Sequence, residues 1–377
     1  MRIDIVGSGA REDWIALWGE AFPEDDPAWI AWYADNFAAS DSILGAWDGI
    51  RLVGTVHMNR CSLAFGGREI PSCAVAGVAT ARDLRGRGIA RNMLEETHRI
   101  LRERGIPLAY LYPFSYPFYE KFGWQAGYRA RMWNLSADAF STCVGDFSWV
   151  DSPCAADFAR MADIYGSWSA RYDGYRIRSA AYMEKLRQDA ASDGCRLGLW
   201  CCGDARGYVL AAAGPEGLSV HDWAGDDMTG MMVCAARSCG AAAVSWTSPD
   251  DGTLRVPGAR TDVTDRDMVR ILDYAALLDG MVCAAEGVLS VGVEDAFLPE
   301  NGGIYRLASR EGRLTCVRGG GVPDVSGDIR AWTRFWMGYA SAEDTGLVFG
   351  TEDKEHVAAL LAAMRPPKCM WLREMYV

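Results

Sequence analysis

From Asp83 to Gly105 the chain reads DLRGRGIARNMLEETHRILRERG, and this stretch restricts the possible folds more than any other. Two arginines alternate with two glycines over Arg85–Gly88, and an amphipathic helix pattern runs from Ile89 to Arg104. Gly105 and Pro107 then supply a C-cap and a breaker. Upstream lies AVAGVAT, a run of small and β-branched residues that predicts a strand, and downstream lies LAYLYPF, a buried strand. The order strand, tight turn, helix, strand makes the first part of the chain α/β. A helix N-terminus presents backbone N–H groups without partners, and its dipole favours an anion there. Glycine lets the backbone come close to such an anion, and Arg82, Arg85 and Arg87 can add charge-assisted hydrogen bonds. The turn therefore suits a diphosphate, although a solvated basic turn that caps a helix has the same composition. It is not a Walker loop, because no GK[ST] is present. It also fails the GxGxxG fingerprint, because Arg91 stands at the last position.

Around this stretch, REDWIALWGEAF and PAWIAWYADNF have helical apolar spacing. SILGAWDGIRLVGTVHMNRCSLAF predicts two strands about an Asp48-Gly49 turn. YPFYEKFGW predicts a short helix ended by Gly123, and YRARMWNL a further strand. Residues 139–267 loosely repeat this order of elements, but no arginine-glycine turn recurs. From residue 268 onward strands and then helices follow, and the chain finishes on the half-apolar CMWLREMYV, an extended segment tied into a fold rather than a loose tail.

A formal net charge of -12 argues against nucleic acid and anionic membranes as partners and is compatible with a cationic small molecule. The 12 cysteines and 4 histidines show no metal-ligand spacing, so no metal is expected. With no signal peptide or membrane-length apolar run, the cysteines read as reduced thiols of a cytoplasmic protein.

Two motifs narrow the reading. Arg85-x-x-Gly88-x-Ala90 is similar to the acetyl-CoA loop of the GNAT (GCN5-related N-acetyltransferase) superfamily, and FYEKFGW, Phe118–Trp124, resembles its FYxKxGF segment. LYPFSYPFYEKFGW, VRILDYAALL, DIRAWTRFWMGYAS and the end WLREMYV resemble the Eis (enhanced intracellular survival) family within it. That resemblance implies an α/β (α+β) fold in three parts. A GNAT domain would span residues 1–138, a degenerate GNAT-like domain residues 139–267, and a sterol-carrier-protein-like α+β domain residues 268–377.

It also implies direct transfer of acetyl from acetyl-CoA to an amine, without an acyl-enzyme. The acceptor would be a cationic small molecule (aminoglycoside- or polyamine-like) or a lysine side chain. Pantetheine contacts fall on Val78, Ala79 and Thr80, with Ser115 nearby, and the diphosphate falls on the amides of Arg85, Gly86, Arg87, Gly88, Ile89 and Ala90. Tyr119 matches the general acid, and the terminal carboxylate on Val377 matches the general base. A homo-hexamer is implied as well. Asp25, Asp26, Trp32 and Tyr33 lie where the family builds part of its acceptor pocket, and acidic plus aromatic groups suit a cation. The same four residues also read as a solvated helix start followed by a core stripe. Two rival readings are a non-catalytic acetyl-CoA-binding protein and a lipid carrier.

Overall fold

The computed structural model describes residues 1–39, 41–136, 139, 144–366 and 368–372, so Val377 lies outside the described residues. The chain divides into two compact units, one formed by Met1–Tyr128 with Arg266–Leu372 and the other by Arg129–Asp265.

In the first unit come β1 (Arg2–Ile5), α1 (Arg11–Ala21), α2 (Pro27–Asn36), β2 (Ile43–Asp48), β3 (Arg51–Phe65), β4 (Arg68–Thr80), α3 (Ile89–Glu103), β5 (Leu108–Leu111), α4 (Tyr116–Glu120) and β6 (Gln125–Ala126). The second unit holds β7 (Arg129–Ser136), β8 (Asp146–Val150), α5 (Ala155–Ser169), β9 (Tyr175–Arg176), α6 (Ala180–Ser192), β10 (Arg196–Cys202), β11 (Ala205–Gly214), β12 (Gly217–Gly225), α7 (Met228–Ser238), β13 (Ala243–Pro249) and β14 (Arg260–Asp265). The chain then returns to the first unit with β15 (Met268–Ile271), α8 (Tyr274–Leu278), β16 (Gly287–Glu294), β17 (Gly303–Arg310), β18 (Arg313–Arg318), β19 (Val325–Asp328), α9 (Ile329–Trp336), β20 (Val348–Phe349) and α10 (Lys354–Met364).

The sheet of the first unit runs β1-β2-β3-β4-β5-β15-β6. The Asp48-Gly49 turn joins β2 to β3, with Gly49 at φ 61° as such a turn requires. Late in the chain, β15 enters between β5 and β6 and pairs antiparallel with both. β7, which the sequence pattern groups with the first 138 residues, lies instead in the sheet β14-β7-β13-β12-β11-β10-β8 of the second unit. Its alternating burial fits either sheet, so nothing local specifies the choice; in its observed place it gains ladders on both edges, with β13 and with β14. A third sheet, β18-β17-β16-β19-β20, belongs to the first unit.

Burial explains the layering. The core of the first sheet gathers Trp14, Leu17 and Trp18 from α1, Met93, Leu94 and Leu101 from α3, and Val53, Val56 and Met58 from β3. Arg270 on β15 is fully buried and donates to both carboxylate oxygens of Asp295 at 2.8 and 2.7 Å. Asn301 Nδ2 adds a third hydrogen bond to that carboxylate at 3.1 Å, which offsets the desolvation of the pair. Gly123 sits over this guanidinium at φ 80°, where a Cβ would come within 2.8 Å of Arg270 Cζ. That close approach is why the FYEKFGW segment needs its glycine. Ten of the described cysteines lie outside any disulfide, but Cys234 is disulfide-bonded, which departs from the fully reduced set expected. Among the described residues no helix is long and apolar enough to cross a membrane.

Candidate active site

The site starts with a fault in the first sheet. β4 pairs in parallel with β5 only from Ser72–Ala74 against Leu108–Tyr110, yet β4 continues to Thr80. Beyond Ala74 its edge has no ladder partner on that side among the described residues. On the other side the register with β3 slips, so that Gly77 and Val78 together face Val56. Gly77 takes φ 52°, and a Cβ there would lie 2.6 Å from the Trp18 ring and 2.9 Å from His57 Cδ2. The bulge bends β4 away from β5 and opens a wedge between them. Thr80 Oγ1, at the end of β4, is buried without a hydrogen-bond partner among the described residues.

The turn after β4 is open. Gly86 and Gly88 take φ 77° and 80°, and nothing lies within 4 Å of where their Cβ atoms would be. Gly88 is the N-cap of α3, and no side chain caps that helix. Its first amides are thus available to a ligand, with the positive end of the helix dipole behind them. Arg85 and Arg87 are exposed; Arg85 Nε donates to the Thr80 carbonyl at 3.2 Å, which folds it back over the end of β4. Arg82 is tied to Glu20 instead, through its own amide and through Nε. Asp83, the one acid within the turn, accepts two hydrogen bonds from Arg51 at 2.8 and 3.0 Å, and these hold its carboxyl below the usual range. The wedge and the turn therefore fit acetyl-CoA: an unpaired strand edge and an orphaned hydroxyl for amides, then bare helix amides and arginines for a diphosphate.

Ser115 is half-buried at the N-cap of α4, directly before the segment that carries Tyr119. Tyr119 is 3% exposed, and its ring meets Phe114, Phe118 and Trp124 edge-on at 5.4, 5.0 and 6.2 Å. Burial pushes its phenol well above the ordinary tyrosine value, so it is protonated at neutral pH.

The expected acceptor-pocket residues have structural partners. Asp26 caps α2 by accepting from the Ala28 amide at 2.8 Å, and Asp25 accepts from Trp18 Nε1 at 2.7 Å. Trp32 is half-buried against Phe37. Tyr33 is 1% exposed; its hydroxyl accepts from Asn59 Nδ2 at 2.8 Å and lies 3.3 Å from His57 Nδ1. Sequence reasoning missed His57. It is fully buried beneath the bulge, between the Trp14 and Trp18 rings, and burial lowers its pKa to about 3. A lone histidine in an apolar strand carries no signal of this placement.

Comparison with known proteins agrees with this geometry. Residues 2–127 match the acetyltransferase (GNAT) domain family, and residues 280–372 match the sterol carrier protein domain family. The protein is a GNAT N-acetyltransferase with a C-terminal sterol carrier protein domain. An uncharacterized N-acetyltransferase of Streptomyces avermitilis is 26% identical over 344 residues, covering 81% of this chain and 82% of that one. The solved structure of a probable N-acyltransferase from Enterococcus faecalis superposes with a TM-score of 0.86 at 19% identity, covering 100% of this chain and 99% of the other. Eis1 of Mycobacterium abscessus has the same fold, with a TM-score of 0.79 at 16% identity and 99% of both chains covered. The tandem GNAT plus sterol-carrier arrangement expected from the sequence is thus the one observed, and the GNAT domain implies acetyl-CoA as co-substrate. Among the described residues no group of three His, Cys, Asp or Glu side chains is placed to hold a metal ion.

Proposed function

We propose that this enzyme transfers acetyl from acetyl-CoA directly to the amine of a cationic small molecule, aminoglycoside- or polyamine-like, or to a lysine side chain. The observation that carries the reading is the wedge between β4 and β5 that ends on the uncapped N-terminus of α3. Val78, Ala79 and Thr80 offer the strand edge to the pantetheine arm, with Ser115 beside it. The amides of Arg85–Ala90 hold the diphosphate. Acetyl-CoA supplies the acyl thioester when bound. Tyr119 gives its phenolic proton to the departing sulfur, and the carboxylate of Val377 takes a proton from the acceptor ammonium. The C–N bond forms as the C–S bond breaks. Support for Tyr119 comes from its burial and its position in FYEKFGW; support for Val377 comes from the resemblance alone. Asp26, Trp32 and Tyr33 belong to this proposal as the acidic and aromatic side of the acceptor pocket, Asp26 being the exposed one. A hexameric, cytoplasmic enzyme without nucleic-acid or membrane partners completes it, on the resemblance and the acidic charge balance; light scattering on the purified protein tests the hexamer.

Tyr119→Phe is expected to keep acetyl-CoA affinity and lower kcat by ~10²–10⁴-fold, the usual contribution of a general acid. A variant within twofold of wild type removes Tyr119 from the proton path. Adding two residues after Val377 moves a terminal carboxylate by ~3 Å or more per residue. CoA release should then fall steeply, whereas replacing Val377 by another apolar residue should be mild. Full activity of the extended chain would take the carboxylate out of the mechanism.

A further inference from the structure

The second unit contains a cavity of about 310 Å³ at the junction of β12 and α7. Its wall is aromatic. Trp168 from α5 and Trp223 from β12 have ring centroids 4.8 Å apart, and Tyr172 stands 5.2 Å from Trp168. Two carboxylates also line it. Asp226 follows β12 and accepts from the Arg206 amide at 2.9 Å. Asp251 accepts from the amide and hydroxyl of Thr253 at 2.9 and 2.7 Å and from the Tyr172 hydroxyl at 3.3 Å. The lining includes one cation, Arg171, which reaches Asp226 at 3.8 Å with both side chains about half exposed, so that pairing is weak.

The place of this cavity in the fold gives it meaning. β12 pairs in parallel with β13 only at Leu218–Val244 and Ser219–Ser245, and then continues to Gly225. The second sheet thus repeats the opening seen between β4 and β5. The turn that follows differs, because Asp226 and Asp227 stand where the first unit has arginine and glycine. Asp227 caps α7 by accepting from the Gly230 amide at 2.9 Å. A diphosphate brought here would meet two carboxylates and a helix end whose cap is already made. A positive charge would meet the opposite: aromatic rings, whose faces attract cations in a desolvated site, and carboxylates at the mouth.

We infer that the opening in the second sheet is a binding site for a small organic ammonium ion. The cavity, its three rings and its two acids carry this inference without reference to acetyl transfer. The ligand is held by charge and by its alkyl groups, not by a chemical step.

Choline is a suitable probe. Its quaternary nitrogen cannot be N-acetylated, and 3,3-dimethyl-1-butanol is its neutral isostere. Titration of the full chain without acetyl-CoA, followed by calorimetry and tryptophan fluorescence, should show saturable choline binding with a changed emission, at least tenfold tighter than the isostere. Asp226→Asn with Asp251→Asn keeps the shape of both turns and should weaken choline at least tenfold. Thr253→Trp, on an exposed loop at the cavity, should abolish binding while leaving the fold intact. Gly88→Asp, in the other unit, should leave choline binding unchanged, which separates this site from the acyl-transfer site. Equal affinity for choline and its isostere, unaltered affinity in the double Asn variant or in Thr253→Trp, loss of binding in Gly88→Asp, or no saturable binding at millimolar choline would each overturn the inference.

Discussion

At the end of β4 the chain turns through Arg85-Gly86-Arg87-Gly88 into a helix that no side chain caps; at the end of β12 it turns through Asp226-Asp227 into a helix that is capped. Both turns follow a strand that outruns its parallel neighbour, and both lead into a helix. The backbone plan is repeated and the charge is reversed. An N-cap side chain is worth about 1 kcal/mol over alanine but only about a few tenths over glycine, so with Gly88 at that position the first unit forgoes a small stability at α3 that the second unit keeps at α7. Amides withheld from a cap remain free for a ligand, and stability given up at a binding site is a common exchange.

The largest expected effect comes from giving the first turn the chemistry of the second. Gly88→Asp should lower acetyl-CoA affinity by ~100-fold or more, since a carboxylate would take up the α3 amides and repel a diphosphate. Gly88→Asn is the control, because asparagine tolerates the left-handed backbone and carries no charge. It should lose ~10-fold or less by calorimetry. Equal losses would show that shape rather than charge distinguishes the two turns.

A second contrast lies in the histidines. His57 and His98 are fully buried in the first unit, and burial lowers both pKa values, that of His57 to about 3. In the second unit His221 is half-buried, 3.8 Å from Asp193. A folded pKa below the unfolded value of ~6.5 means that the unfolded chain takes the proton first. The stability these groups confer is therefore complete above pH ~6.5 and is lost as pH falls from there toward 3. Each buried histidine should steepen the loss by up to ~1.4 kcal/mol per pH unit. His98 makes no hydrogen bond through either nitrogen among the described residues, and its ring packs against Trp124 and Phe297. His98→Phe should accordingly leave urea stability at pH 7.5 little changed and flatten its decline below pH 6. An unchanged pH slope would place the acid sensitivity elsewhere.

The smallest effect belongs to the second turn. Asp227→Ala removes the α7 cap and should cost about 1 kcal/mol, ~2–4 °C in a thermal scan, with acetyl-CoA binding untouched. A loss of acetyl-CoA binding in that variant would mean that the two turns are not independent.

How much of this was readable beforehand depended on where the deciding interaction lay. The α3 helix, predicted over Ile89–Arg104, runs Ile89–Glu103, because its period, its glycine start and its Gly105 stop are all local. The hairpin at Asp48-Gly49 was legible for the same reason. The β4 bulge was not, since Gly77 sits in AVAGVAT among residues equally at home in a regular strand. The place of β7 was not, because its alternation fits any half-buried position. Tyr33 read as pocket or, more readily, as part of a core stripe; only the packing of Trp18, Trp29 and Phe37 around it shows how deeply it is buried. The aromatic cavity joins Trp168 and Tyr172, at the end of α5 and in the turn just after it, to Trp223 on β12, a pairing that no sequence period announces.

The strand β15 gives the protein a timetable. A ribosome finishes β5 long before it makes Met268–Ile271, with the whole second unit synthesised in between. During that interval the nascent first sheet presents β5 as an open edge with its ladder groups unpaired, a template for pairing with other chains. Residues 2–127, the span matched as an acetyltransferase domain, are therefore not a self-sufficient piece to express: the strand that closes their sheet is encoded far downstream, and a chain cut before it ends with an exposed edge.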